Sequence, residues 1–269
     1  VYITIGFAAS ALGQQTLQLG DPSRSELFLL VGMMLALALV PVALTNATHP
    51  DPVEKPNIDL RKLFEVSPTA VIGCLVAGLI GSSWWGLGPI YAQEIGLSVN
   101  HIASVMTAAL VGGLLLQLPV GRLSDRFDRR TVLFWIMMLV LIPAAVLLLG
   151  SILNFWLIII AVGIFFGLSS TVYPLCVAYA NDHLDSADVV SASGGFVLFY
   201  AMGAVSGPLI SSLAMRVSGT RGLFVFIITA SLALGIFIIW RIQIRQWVPI
   251  AGKEPYVLQP EAQAPGVVS

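Results

Sequence analysis

Six charged side chains crowd into residues 121–130, GRLSDRFDRR: Arg122, Asp125, Arg126, Asp128, Arg129 and Arg130. Only 10% of the 269-residue chain is Asp, Glu, Lys or Arg. Carboxylates and guanidinium groups at this density can pair with one another and with the partial charges at helix ends. Just before them, Gly113, Gln117 and Gly121 recur every four positions on one helix face. Small residues at that spacing let a neighbouring helix come close. Together Gly121, Asp125, Arg126, Arg129 and Arg130 read as a charged latch between helices, with Asp125 capping a helix N-terminus. A plain positive-inside anchor explains the arginines. It leaves Gly121, Asp125 and the compactness of the stretch unexplained.

A second set of polar and aromatic groups sits inside otherwise apolar runs, where lipid makes polar atoms costly. Gln14, Ser83, Trp85, Gln117, Ser170, Tyr173 and Tyr200 are the candidates for touching a solute. Gln15, Ser82, Trp84, Ser169 and Thr171 stand beside them. The competing reading is that Ser and Thr bond their own helix backbone and that Trp and Tyr anchor at the interface. Tyr91 and His101, near the outer ends of their runs, read as such anchors. As a set the candidates predict a wide, weakly polar, uncharged cavity. No carboxylate falls deep in an apolar run, and Glu94 is the nearest.

The elements that must position these groups follow from composition. With 57% hydrophobic residues the chain cannot hide its apolar side chains in one water-soluble core. Asp, Glu, Lys and Arg are absent from 1–20, 27–50, 66–93, 95–121, 131–181, 189–215 and 222–240. A spanning helix needs about 20 mostly apolar residues, and 131–181 is long enough for two. The expectation is an all-α integral membrane protein with eight transmembrane helices, near 1–18, 27–45, 69–92, 101–120, 131–149, 155–178, 191–213 and 222–240. A turn falls at 150–154, GSILN. Barrel strands are excluded because runs such as FWIMMLVLIPAAVLLL do not alternate.

Ten Lys and Arg residues lie on one set of connections and three on the other. That bias puts 121–130 and the C-terminus in the cytoplasm. The long connection 46–68 then carries a short amphipathic helix on the inner surface, with Leu60, Leu63 and Phe64 on one side. Residues 242–269 read as a disordered cytoplasmic tail. Cys74 and Cys176 read as buried packing residues, and His183 among Asp182 and Asp185 is too sparse to hold a metal.

At this point GRLSDRFDRR resembles the loop signature of the major facilitator superfamily, roughly Gly-x-Leu-small-Asp-Arg-x-Gly-Arg-Arg. Gly121, Leu123, Ser124, Asp125, Arg126, Arg129 and Arg130 match it. Asp128 stands where Gly is usual, which places a residue tolerant of left-handed geometry at the turn. The stretches 87–130 and 179–209 resemble a bacterial inner-membrane branch of that superfamily. The signature follows the second helix of each six-helix half, so the resemblance implies helices 5–12 of a twelve-helix fold. It implies residues 1–45 as the last two helices of the N-terminal half, 46–68 as the central cytoplasmic loop, and 69–241 as the C-terminal half. The first four helices are then expected to be missing, making the chain a fragment.

Gly194, Gly203, Gly207 and Pro208 reproduce a Gly-x8-Gly-x3-Gly-Pro spacing that the superfamily's exchangers carry on the fifth helix. Here it falls on the eleventh, and reads as close packing and bending. The implied function is secondary active transport of a small solute by alternating access, by a monomer in the inner membrane. The alternative is a receptor or assembly factor on the same scaffold. Neither metal, cofactor nor nucleic acid is implied. An enzyme is disfavoured, since no Gly-x-Ser-x-Gly, His-Glu-x-x-His or intramembrane acid pair occurs.

Overall fold

The structure is a computed structural model, and it describes residues 2–16, 25–45, 60–182, 184 and 189–244. Within them the chain forms ten α-helices and two short 3-10 turns. The helices are α1 (Tyr2–Gln15), α2 (Glu26–Leu44), α3 (Leu60–Val66), α4 (Pro68–Glu94) and α5 (Val99–Arg126). They continue as α6 (Arg129–Leu147), α7 (Phe155–Ser169), α8 (Val172–Asn181), α9 (Val189–Ser218) and α10 (Gly222–Ile244).

Local chemistry sets the boundaries. Pro68 opens α4, where its missing N–H costs nothing. Ser98, Asp128 and Asn154 cap α5, α6 and α7 by accepting the backbone N–H three residues on. The turn at 150–154 is a 3-10 turn, Gly150–Ile152, running into the Asn154 cap. Gly96 and Gly219 take positive φ after α4 and α9, where a side chain would be strained.

Among the described residues, six segments are long and apolar enough to cross a membrane. The last of them, Ala192–Gln243, holds both α9 and α10. As described, α1 is 14 residues long. The core lies among α4 to α10, with Trp84, Tyr91, Phe165, Phe196 and Phe224 as its largest fully buried side chains. Four of these form a chain of ring contacts: Trp84–Phe165 at 5.6 Å, Phe165–Phe224 at 5.7 Å and Tyr91–Phe224 at 4.9 Å.

Several expectations change. Tyr91 is not an interfacial anchor. It is 1% exposed, and its hydroxyl donates to the Leu147 carbonyl at 2.6 Å, pinning the end of α6 to α4. The apolar ring is drawn into the core because the phenol finds a buried acceptor there. The sixth expected span is two helices. Pro174 has no N–H to offer the Ser170 carbonyl. The chain tightens at Ser170–Thr171, with Thr171 N bonding the Leu168 carbonyl three residues back. Leu63 of α3 belongs to the core, while Phe64 is exposed. The tail from 245 and all of 46–59 lie outside the described residues.

Candidate functional site

The charged stretch is largely helix. α5 continues through Gly121 to Arg126, and only Phe127 and Asp128 are extended before α6 begins at Arg129. Ser124 Oγ donates back to the Gly121 carbonyl at 2.7 Å. The helix stops because Asp128 caps the next one: its Oδ2 accepts from Thr131 N and from Thr131 Oγ1, both at 3.1 Å. Asp128 has φ −62°, so no left-handed turn is needed where the family pattern has Gly. The capping carboxylate is therefore Asp128, and Asp125 lies within the last turn of α5.

Arg129 is the hub of the cluster. Its Nη2 lies 3.4 Å from Asp125 Oδ1 and its Nε 3.0 Å from Asp182 Oδ2, at the end of α8. Its side chain is 18% exposed against 68% for Asp125, so the Asp182 contact is the better shielded of the two. Arg130 is buried, 4.0 Å from Asp128 Oδ1, with its guanidinium 5.7 Å from the Tyr179 ring centre. Arg126 makes no ion pair among the described residues. The superfamily resemblance implies that the latch faces the helix turn Val1-Tyr2-Ile3 of the N-terminal half, and Val1 lies outside the described residues. Gly121 has nothing within 4 Å of where a Cβ would stand, whereas Gly113 packs against the Phe7 ring of α1.

The tightest helix contacts are elsewhere. A Cβ on Gly203 would strike the Leu75 carbonyl, one on Gly207 the Leu79 carbonyl, and one on Gly78 the Tyr200 carbonyl. These three glycines bring α4 and α9 to backbone contact. Ser211 Oγ reaches Ser83 Oγ across the same seam at 3.1 Å. Pro208 sits inside α9 without ending it, and it lies against Gly86. Gly194, near the start of α9, is exposed. A second seam, between α5 and α7, uses Gly112, Gly163 and Gly167. The signal for it was present as GG at 112–113 and Gly-x3-Gly at 163–167.

The candidate cavity residues separate into two groups. Ser83 is fully buried and donates to the Leu79 carbonyl; Ser170 donates to the Gly167 carbonyl. Their hydroxyl protons are spent on their own helices. Trp85, Tyr173 and Tyr200 form an aromatic face with Phe166. Trp85 meets Phe166 edge-on at 5.3 Å, and Tyr173 meets Tyr200 at 5.1 Å. The Tyr200 hydroxyl lies 3.4 Å from where a Cβ on Gly81 would stand, one helical turn from Trp85. Phe7 of α1 joins at 6.3 Å from Phe166. Gln117 is half-buried, and its Oε1 has no hydrogen-bond partner among the described residues. Gln14 is half-buried, while its neighbour Gln15 donates to Thr107 Oγ1 at 2.6 Å, tying α1 to α5.

A cavity of 560 Å³ opens on another face, between α1, α5 and α7. Gln15, Thr107, Gly112, Phe155, Trp156 and Gly163 are among its lining residues. None of the seven candidates lines it. Among the described residues no group of His, Cys, Asp and Glu could hold a metal; His183 and Asp185 lie outside them.

Apolar segments of spanning length joined by a charged helix junction define a multi-pass α-helical membrane protein. The family model of the Major Facilitator Superfamily matches residues 70–265, and the chain belongs to that family. A protein of Yersinia pestis (strain Pestoides F) named an uncharacterized MFS-type transporter is 25% identical over 228 residues, 84% of this chain and 58% of the relative. The uncharacterized MFS-type transporter YcaD of Shigella flexneri is 26% identical over 235 residues, 86% of this chain and 59% of the relative. The chain thus spans less than two thirds of the length of these relatives.

Proposed function

We propose that the protein works as a secondary active transporter, moving a small solute through the inner membrane by alternating access. α1, α2, α4, α5, α6, α7 with α8, α9 and α10 correspond to helices 5–12 of a twelve-helix fold. Residues 1–45 belong to the N-terminal half, 46–68 to the central loop and 69–241 to the C-terminal half. The junction 121–130 and the C-terminus face the cytoplasm, and the protein acts as a monomer.

One observation carries this reading. The charged junction follows the second span of the six formed by α4 to α10, with α7 and α8 counted as one, in a chain of the family whose signature it resembles. Arg129 ties the end of α5 to the end of α8 through Asp125 and Asp182, and this is the latch. It is closed when the inner ends of those helices are together, and it opens when they part. Arg129 holds both carboxylates, so Arg129→Ala acts more strongly than Asp125→Asn.

The test is uptake and efflux of a solute panel by the full-length protein in proteoliposomes, with crosslinking across the inner ends of α5 and α8. Transport that falls severalfold in Arg129→Ala, with looser inner-face crosslinking and normal insertion, supports the reading. Absence of transport for every solute favours a receptor or assembly role. Unchanged transport and crosslinking in Arg129→Ala reduces the stretch to a topology anchor.

A further inference from the structure

The aromatic face described above has three polar groups left over. Neither the Tyr173 nor the Tyr200 hydroxyl makes a hydrogen bond among the described residues, though the two rings touch edge-on at 5.1 Å. Gln117 Oε1 is buried without a partner. The unmade bond at the buried Gln117 oxygen is costly, and the two half-buried phenols beside it keep protons to donate. Ser82, Ser83 and Ser170 each donate to a carbonyl of their own helix, so none of them supplies a proton to Gln117 Oε1. Gly81 keeps the space over the Tyr200 hydroxyl open, since any side chain there would contact it.

The apolar part of the face is equally defined. Trp85 is 39% exposed and braced edge-on by Phe166 at 5.3 Å. Braced rings with open faces bind other rings by stacking, at little entropic cost. Gln117 stands one turn along α5 from Gly113, which holds Phe7, and Phe7 in turn meets Phe166. The phenols, the amide and the Trp85–Phe166 pair therefore come from adjoining faces of α4, α5, α7, α8 and α9. The apolar runs that supply them, 66–93, 95–121, 131–181 and 189–215, contain no Asp, Glu, Lys or Arg. A charged solute would meet no counter-charge on this wall, and in a low-dielectric site that is heavily unfavourable.

We infer that this wall takes an uncharged, ring-bearing solute. Its ring packs on the open face of Trp85, which the buried Phe166 braces edge-on. Its acceptor oxygens receive the Tyr173 and Tyr200 hydroxyl protons, and a donor on it satisfies Gln117 Oε1. The inference rests on the transporter reading for its setting, and its chemistry is tested by binding alone.

The probe is 7-amino-4-methylcoumarin, a neutral fluorescent ring compound with a carbonyl acceptor and an amino donor. Its comparators are the same ring system bearing an acetate or a trimethylammonium group. Binding to the full-length protein in nanodiscs is read by fluorescence anisotropy against empty nanodiscs. The neutral probe is expected to bind at least tenfold more tightly than either charged one. Tyr173→Phe and Tyr200→Phe are each expected to weaken it about fivefold, one hydrogen bond's worth, without altering thermal stability. Trp85→Leu should weaken it further, whereas an exposed-tryptophan control, Trp156→Leu, should not. Three results each overturn the inference: no neutral binding above empty nanodiscs, tighter binding of a charged probe, or neutral binding indifferent to both Tyr→Phe changes. Neutral binding with the expected tyrosine dependence, in a protein that transports nothing, upholds the wall's chemistry and removes the transporter reading. Transport of carboxylates or quaternary amines without neutral binding does the reverse.

Discussion

α2 and α4 are both long enough to cross a membrane, and α2 is the more apolar. Yet no residue of α2 is buried, while over half of the spanning window of α4 is. In water that order would be reversed. In lipid, burying an apolar side chain against protein gains little over leaving it among acyl chains, so apolarity does not draw helices together. Small residues do. α4 meets α9 through Gly78, Gly203 and Gly207 at backbone contact, whereas Gly32 of α2 has open space around it. Within this chain α4 is the packed helix, and its glycines, serines and aromatics give it shape and hydrogen bonds to match a neighbour.

The largest expected effect breaks that contrast at its centre. Gly203→Leu forces α9 away from the Leu75 carbonyl and should cost about 3 kcal/mol, the upper end for overpacking. The detergent-extracted protein should elute as aggregate. Gly32→Leu in α2 should elute as wild type, and matching elution of the two variants would remove the seam as the organising contact.

Next comes Ile80→Ala in α4, at a side chain 1% exposed, set against Leu37→Ala in α2, at one 68% exposed. The first should lose about 2–4 kcal/mol to the cavity it leaves. The second should stay within about 0.5 kcal/mol of wild type. Thermal unfolding in a mild detergent measures both, and a large loss at Leu37 would mean that α2 is packed against protein.

Tyr91→Phe removes the donor to the Leu147 carbonyl while keeping the ring contact with Phe224. A loss of about 1–3 kcal/mol is expected for the orphaned buried carbonyl. An unchanged midpoint would return Tyr91 to an interfacial role.

The smallest effect tests how much of the α4–α9 seam is polar. Ser211 Oγ contacts Ser83 Oγ at 3.1 Å, but each hydroxyl also has a carbonyl of its own helix. Ser211→Ala should therefore cost only about 0.6 kcal/mol. A loss several times larger would make hydrogen bonding, and not glycine contact, the main cement.

The sequence by itself determined the all-helical membrane class, since charge-free runs of about 20 residues have no other use in a chain this apolar. It also located the charged junction at 121–130, because charge in so apolar a chain stands out wherever it falls. Tertiary structure decided which partner each group meets. Asp125, read from its neighbours as a cap, pairs with Arg129, and Asp128 does the capping. Tyr91, read from its place near a helix end as an anchor, is buried against α6 and α10. Ser83 and Tyr200 looked alike as polar groups in apolar runs, yet one is closed into a helix seam and the other has a hydroxyl without a partner among the described residues. Periodicity says which residues share a helix face. It does not say which helix, lipid or cavity that face meets, because in a bilayer apolar side chains suit both lipid and protein. Only the contacts of glycine with backbone and of hydroxyl with carbonyl, made across residues far apart in the chain, separate the alternatives.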